Sequence, residues 1–386
     1  MDFQRYPVLV VGGDTIIGLS VIRSLGRYGV PVFCAYTRKD ALGPRSTYCR
    51  GSFPMPPQRE AAISSVCEHL RRWKITHLIA ISENHISLMN SCRENLEKEC
   101  TLLFPRQEVF ERAIRKDLTL AFARRIAIPV PETLYPQTRA AIDECRVLKF
   151  PVILKMASHQ FPLGTIAMFQ HKCLRVETFE ELERVLGALP EGQYPMVQEY
   201  ISGKGVGVSM LIRGGKVVLA FQHRRIREFP PEGGIGVVCE AMQPDPKLLD
   251  QSHRLLIDMD WDGIAMVEFR LDEATGSYAL MEVNGRFWGS LPTAMHAGAA
   301  FPFWLYRTSF PDASLPGRQY RVGLVARSLA GDTKWLLATV RQNPSAALPA
   351  IAAYITSFRP STRYFTWALD DPKPAINNFL SRFMRS

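Results

Sequence analysis

The chain has 386 residues, 47% of them hydrophobic, with 47 Lys/Arg against 37 Asp/Glu and a net charge of +10. That length supports two or three domains with real cores, and that hydrophobic share excludes a disordered chain. No apolar run approaches the roughly 20 residues of a membrane helix, and Met1–Pro7 leads straight into a strand-like run, so neither a transmembrane segment nor a leader peptide is expected. The eight cysteines form no CxxC pair and have no His pattern beside them, which reads as free thiols in a reducing cytosol.

Val8–Val11 is a short apolar run ending in Gly12-Gly13. Asp14-Thr15 can cap a helix from about Ile16 to Tyr28, Gly29 closes it, and Pro31–Tyr36 reads as the next strand. Strand, Gly turn, helix and strand make one βαβ unit of a parallel sheet. A helix near Arg59–Trp73, a strand at His77–Ile81 and a helix near His85–Glu99 follow, so residues 1–105 read as a small doubly wound α/β domain. The glycines fall at 12, 13 and 18, which is not the G-x-G-x-x-G spacing, and no ribose-binding acid follows Tyr36. A dinucleotide-dependent oxidoreductase is therefore the lesser reading.

Phe110, Ile114, Leu118 and Phe122 recur at i+4 and predict a helix over 106–127, with Lys116 near its polar side. Ile128-Pro-Val-Pro131 ends it. Pro151–Lys155 is a buried-type strand that ends on a lysine, an unusual place for a solvated charge. Thr178 with Glu181 three residues on predicts a capped helix at 177–189. Met196–Ile201 reads as a strand, and 206–212 with 216–221 as a hairpin across Gly214-Gly215. Arg224, Arg225 and Arg227 then form a basic cluster ahead of Gly233-Gly234.

Met266–Asp272 and Tyr278–Arg286 read as two strands joined by a turn at Gly276-Ser277. Alternate residues of an extended chain share a face. Glu268 and Arg270 therefore line one face of the first strand, and Glu282, Asn284 and Arg286 one face of the second. Two carboxylates, an amide oxygen and a guanidinium suit Mg²⁺ beside a phosphate. A solvated charged face is the alternative, but Phe287-Trp288 follows at once. Residues 317–386 hold ten Lys/Arg, three Asp/Glu and nine aromatics. A basic helical subdomain is preferred there over a nucleic-acid, lipid or partner contact, since no nucleic-acid motif accompanies the charge.

In this order the features resemble the ATP-grasp superfamily from about Lys116 to Arg286, and within it the carboxylate–amine (amino-acid) ligase branch. Leu280-Met-Glu-Val-Asn-Gly-Arg-Phe-Trp-Gly-Ser290 is similar to that branch's "mEiNpRfwGs" segment. The implied fold is α/β and α+β: a doubly wound pre-ATP-grasp domain over 1–105, a two-subdomain ATP-grasp domain over 106–316 with its lid at about 128–200, and a basic, mostly helical extension over 317–386.

The resemblance implies that Lys116 and Lys155 contact ATP phosphates. It implies that the Gln198-Glu199-Tyr200-Ile201 linker recognises adenine through backbone groups at Glu199 and Ile201. Glu268, Glu282 and Asn284 are implied to hold one or two Mg²⁺ ions, with Mn²⁺ an alternative. Arg225 and Arg286 are implied to stabilise the transferred phosphoryl group. Two departures stand out. Ser158–Gly164, where relatives carry a Gly/Ser-rich lid loop, has one glycine. Gly203–Val208 lacks the acid that holds the ribose.

The implied activity is ATP-dependent amide formation between a small-molecule carboxylate and an amine, amino acids among them, through an acyl phosphate, in the cytoplasm and without nucleic acid. A carboxylase, a phosphoryl transferase and a non-catalytic ATP-binding module stay open, as does a homodimer.

Overall fold

The computed structural model describes residues 2–156, 173–231, 233–272, 275–311, 317 and 319–377. The Ser158–Gly164 loop of the sequence reading lies outside them. The chain divides into two compact units, one formed by 1–110, 207–266 and 284–386, the other by 111–206 and 267–283.

The first unit opens with β1 (Val8–Val11), α1 (Ile16–Arg27), β2 (Val32–Tyr36), β3 (Cys49–Pro54), α2 (Arg59–Arg72), β4 (His77–Ala80), α3 (Glu83–Asn90), α4 (Arg93–Glu97) and β5 (Thr101–Leu102). The five strands form one parallel sheet in the order β3-β2-β1-β4-β5. Every residue of β1 is buried, which is why it reads as an unbroken apolar run rather than an alternating one. Thr15 caps α1 by accepting from the Gly18 N–H at 3.2 Å. Asp14 does something else: its carboxylate accepts from the N–H groups of Thr37 and Arg38 at 2.8 and 2.7 Å and ties the end of β2. A Cβ at position 18 would stand 2.3 Å from the Gly12 carbonyl oxygen, so the turn and the helix approach too closely for any other residue. The helix expected at 85–99 is two, interrupted at Ser91-Cys92, where the Ser91 hydroxyl donates back to the Leu88 carbonyl at 2.6 Å.

The helix expected over 106–127 is also two, α5 (Gln107–Ile114) and α6 (Lys116–Arg125). The fully buried Thr119 accounts for the break. Its hydroxyl donates to the Arg112 carbonyl at 2.9 Å and so satisfies the end of α5. Lys116 thereby becomes the first residue of a helix instead of a mid-helix surface charge.

The second unit continues with β6 (Thr133–Leu134), β7 (Val152–Lys155), β8 (Cys173–Val176), α7 (Phe179–Gly187) and β9 (Met196–Glu199). Its sheet is antiparallel in the order β6-β9-β7-β8. Val152, Leu154, Val176, Leu182, Leu186 and Val197 form its core. Thr178 caps α7 by accepting from the Glu181 N–H at 3.3 Å, as its spacing predicts.

β10 (Lys204–Arg213) and β11 (Lys216–Phe229) follow, joined by Gly214 and Gly215 with φ of 54° and 76°. Two successive positive φ values are what a tight hairpin turn needs. Then come β12 (Ile235–Met242), α8 (Pro246–Asp258), β13 (Gly263–Leu271), β14 (Tyr278–Asn284), α9 (Leu291–Ala297), α10 (Phe301–Arg307), β15 (Val325–Arg327), α11 (Leu329–Gln342), α12 (Ala347–Thr356) and β16 (Arg363–Tyr364). In the first unit the strand order is β10-β11-β12-β15-β16.

The basic C-terminal stretch contains the expected helices. It also supplies two strands: β15 pairs antiparallel with β12, and β16 parallel with β15. Buried charge fastens it to the rest of the first unit. Asp371, fully buried, accepts from Arg23 Nε at 2.9 Å, from the Ser46 hydroxyl at 2.6 Å and from the Thr47 N–H at 2.9 Å. Asp332, also fully buried, pairs with Arg227 at 2.6 Å and with Arg327 at 2.6 Å. Arg227 thus belongs to the interior and not to an exposed basic cluster.

Removing a carboxylate from such a pair leaves guanidinium groups buried without compensation, which costs about 3–5 kcal/mol. Asp332→Ala should therefore lose about that much in urea unfolding. A variant with the wild-type midpoint would contradict the clamp.

Candidate functional site

Lys155 ends β7, a strand with Val152 and Leu154 in the core, so the backbone that carries it is anchored by packed neighbours. Burial lowers the pKa of its amine, while the nearby Cys173 and Glu282 act to raise it and Lys116 and Arg270 to lower it. The Lys155 amine donates to Gln198 Oε1 at 2.9 Å. Gln198 is fully buried, and its Nε2 donates in turn to the Thr133 hydroxyl at 3.0 Å. Thr133 donates to the Pro131 carbonyl at 2.9 Å. This relay across β7, β9 and β6 gives the amine a fixed acceptor. The Gln198 side chain is used here, inside the protein.

Lys116, at the start of α6, sits 3.6 Å from Glu282 on β14. Lys116, Arg270 and Glu282 thus all lie near enough to Lys155 to act on its charge within the second unit. Arg270 also donates to the Gly203 carbonyl at 3.0 Å and so fixes the segment that follows the linker. The sequence reading placed Arg270 on the hairpin face but gave it no role. In the linker the Glu199 N–H is committed to the Glu132 carbonyl at 2.9 Å and the Tyr200 N–H to the Pro151 carbonyl at 3.2 Å. A ligand contact from Glu199 would have to use an acceptor.

Glu268 on β13 and Glu282 on β14 are both partly exposed. Asn284, two residues beyond Glu282 on the same strand, is nearly buried at 9%. Among the described residues no group of three His, Cys, Asp or Glu forms a metal cluster. Mg²⁺ takes few protein donors and commonly keeps water and phosphate oxygens in the rest of its shell. Glu268 and Glu282 are hard oxygen donors of the kind Mg²⁺ takes.

The two arginines of the sequence reading lie in the first unit. Arg286 donates from Nε to Glu83 at 3.1 Å and from Nη1 to the Phe287 carbonyl at 2.9 Å. It lines a cavity of about 330 Å³ with Arg93, Arg213, Phe104, Ile264 and Leu305. The Glu83–Arg286 pair joins the start of α3 to the end of the Met-Glu-Val-Asn-Gly-Arg run, a link across 203 positions that no local pattern announces. Arg225 donates to the Gly234 carbonyl at 3.1 Å and stands 3.5 Å from Glu228. A Cβ on Gly234 would lie 2.2 Å from the Phe229 carbonyl oxygen, so this glycine serves a close backbone approach within the loop itself. Beside Arg225, His223 is fully buried and shares a 2.8 Å hydrogen bond with Ser290. Burial, reinforced by Arg225, pushes the imidazole down to about 3 and keeps it neutral.

Residues 192–321 match the family described as "ATP-grasp in the biosynthetic pathway with Ter operon". A D-aspartate ligase of Enterococcus faecium (strain Aus0004) is 24% identical over 222 residues, 54% of this chain and 52% of that protein. The chain thus spans about half the length of this curated relative. Among solved structures, the biotin carboxylase domain of Hydrogenobacter thermophilus 2-oxoglutarate carboxylase, in complex with MgADP, ADP and bicarbonate, aligns with a TM-score of 0.65 at 16% identity, covering 83% of this chain and 73% of that one. An L-amino acid ligase from Bacillus licheniformis aligns with a TM-score of 0.60 at 16% identity, covering 78% and 73%. The resemblance to the ATP-grasp superfamily therefore stands, in sequence over 192–321 and in fold over most of the chain.

Gln198→Leu removes the acceptor of Lys155 and the donor to Thr133. A buried polar group left unsatisfied costs about 1–3 kcal/mol. The variant should lose that much in urea unfolding, and an unchanged midpoint would contradict the relay.

Proposed function

We propose that this chain, whose fold is that of the ATP-grasp proteins, is an ATP-dependent ligase that joins a small-molecule carboxylate to an amine through an acyl phosphate. The observation that carries the proposal is the cluster of two lysines near Glu282, with Lys116 at 3.6 Å and the Lys155 amine held by Gln198. The D-aspartate ligase likeness supports amino acids as the substrate class. Its eight free cysteines fit a cytosolic setting.

In this reading Lys116 and Lys155 bind the ATP phosphates, and Gln198 positions Lys155 rather than touching the base. Glu199, by an acceptor, and Ile201, by its N–H, recognise the adenine edge. Glu268, Glu282 and Asn284 hold Mg²⁺, which when bound neutralises phosphate charge. The substrate carboxylate attacks the γ-phosphorus, the bond to the β–γ bridging oxygen breaks, and ADP leaves. The amine then attacks the acyl carbon, phosphate departs, and the amine loses a proton. Phosphoryl transfer of this kind asks for positioning and charge neutralisation more than for a protein nucleophile. Arg286 and Arg225 supply fixed guanidinium charge for the developing oxyanions. Each is already oriented by a carboxylate, Glu83 and Glu228 respectively.

Glu282→Gln should leave the fold intact and reduce ADP release with a carboxylate–amine pair by at least about 10²-fold, the scale of losing one electrostatic element of such a site. Turnover at the wild-type rate would sink the metal assignment. The lowered pKa of Lys155 also sets a pH dependence. The amine carries its charge only below that pKa, so ATP affinity should fall on the alkaline side before an ordinary lysine begins to titrate. Calorimetry across that range checks this. Lys155→Ala should bind ATP weakly and without the alkaline decline, and an unchanged affinity in that variant would count against the role.

A further inference from the structure

The α11–α12 hairpin presents a surface that the ligase reading does not use. α12 contains no charged side chain. Leu348, Ile351 and Ile355 recur at i, i+3 and i+7, one face of a helix. All three are exposed, Leu348 at 79% and Ile355 at 61%, and Phe358 just beyond is exposed too. On α11 Leu337 is 65% exposed, on a stripe with the exposed Lys334 and Arg341. From Leu329 to Tyr364 the sequence holds one acidic residue, Asp332, and it is buried between Arg227 and Arg327. The exposed charges of the segment, Lys334, Arg341, Arg359 and Arg363, are therefore all positive.

The apolar side chains are also kept from folding inward. Thr333 and Tyr354 share a 2.8 Å hydrogen bond that fastens α11 to α12. The Arg327 guanidinium lies over the Tyr354 ring at 4.7 Å and over the Phe358 ring at 4.3 Å. With Asp332 holding Arg327 and Arg227, the hairpin is seated on β11 and β15, and its outer face stays outside.

We propose that this hairpin is an interfacial docking surface for a bilayer rich in anionic lipid. An exposed apolar stripe of this kind marks an interaction site. An uncharged helix of 10 residues is far too short to cross a bilayer but long enough to lie in its interface with its apolar face among the acyl chains. The basic residues around it select the partner. Anionic headgroups complement Lys334, Arg341, Arg359 and Arg363, whereas a second copy would set the same positive charges against them. Nucleic acid would match the charge and leave the apolar stripe without a role. The inference does not depend on the ligase reading.

The test is flotation of the full chain with vesicles of phosphatidylcholine alone and of phosphatidylcholine mixed with phosphatidylglycerol. The chain should float with the mixed vesicles, stay behind with the neutral ones, and be released as salt rises. Leu348→Ser/Ile355→Ser should lower partitioning at least about tenfold while keeping the wild-type unfolding midpoint, because both side chains are exposed. Lys334→Gln/Arg341→Gln should lower it roughly fivefold per charge. Three outcomes would overturn the proposal: no flotation with the mixed vesicles, partitioning of the leucine–isoleucine variant equal to wild type, or a wild-type dimer in sedimentation that this variant dissociates.

Discussion

A lysine that is largely removed from water keeps its charge only if something accepts its hydrogen bonds, and the second unit is organised around that requirement at Lys155. The buried residues of β7 anchor the backbone that carries it, Gln198 accepts from its amine, and Thr133 and the Pro131 carbonyl hold Gln198. Three short strands are thereby committed to the placement of one ammonium group. Burial still lowers its pKa, so the relay and the nearby carboxylate offset only part of the desolvation cost. Lys116, Arg270 and Glu282 are the charged groups that act on the Lys155 amine.

The first unit depends on the opposite device, carboxylates buried among arginines. Asp371 gathers Arg23, Ser46 and Thr47, and Asp332 gathers Arg227 and Arg327. Burial by itself would raise the pKa of Asp371. The hydrogen bonds from Ser46, Thr47 and Arg23 outweigh it, and the net shift is downward. A depressed folded-state pKa means stability that is present above the ordinary aspartate range and lost as pH falls through the folded value. These pairs make the last described stretch of chain part of the body that begins at β1. They also give the α11–α12 hairpin the fixed seat that keeps its apolar face outward.

Local chemistry was legible wherever it is local. The Thr178 cap, the Gly214-Gly215 turn, the apolar run of β1 and the lysine closing β7 each follow from residues within a few positions of one another. The splitting of the helix expected at 106–127 was not, because it turns on where one buried hydroxyl, that of Thr119, finds its acceptors. The same limit applies to the site. The two strands expected around Glu268 and Glu282 are present as β13 and β14, although β14 ends at Asn284 and Arg286 lies beyond it. Gln198 read as part of an adenine-binding linker, since nothing in Gln-Glu-Tyr-Ile says that its side chain points inward to a lysine 43 positions away. Glu83 as the partner of Arg286, Asp332 as the partner of Arg227, and Arg270 on the Gly203 carbonyl are likewise products of tertiary structure.

The central claim is that a substrate carboxylate is activated by direct phosphorylation, and isotope tracing tests it most directly. A carboxylate substrate labelled with ¹⁸O in both oxygens is turned over with ATP and an amine, and the released phosphate is analysed by mass. Attack of the carboxylate on the γ-phosphorus places one labelled oxygen in the inorganic phosphate and none in the nucleotide. Unlabelled phosphate, or label recovered in AMP, would contradict the account.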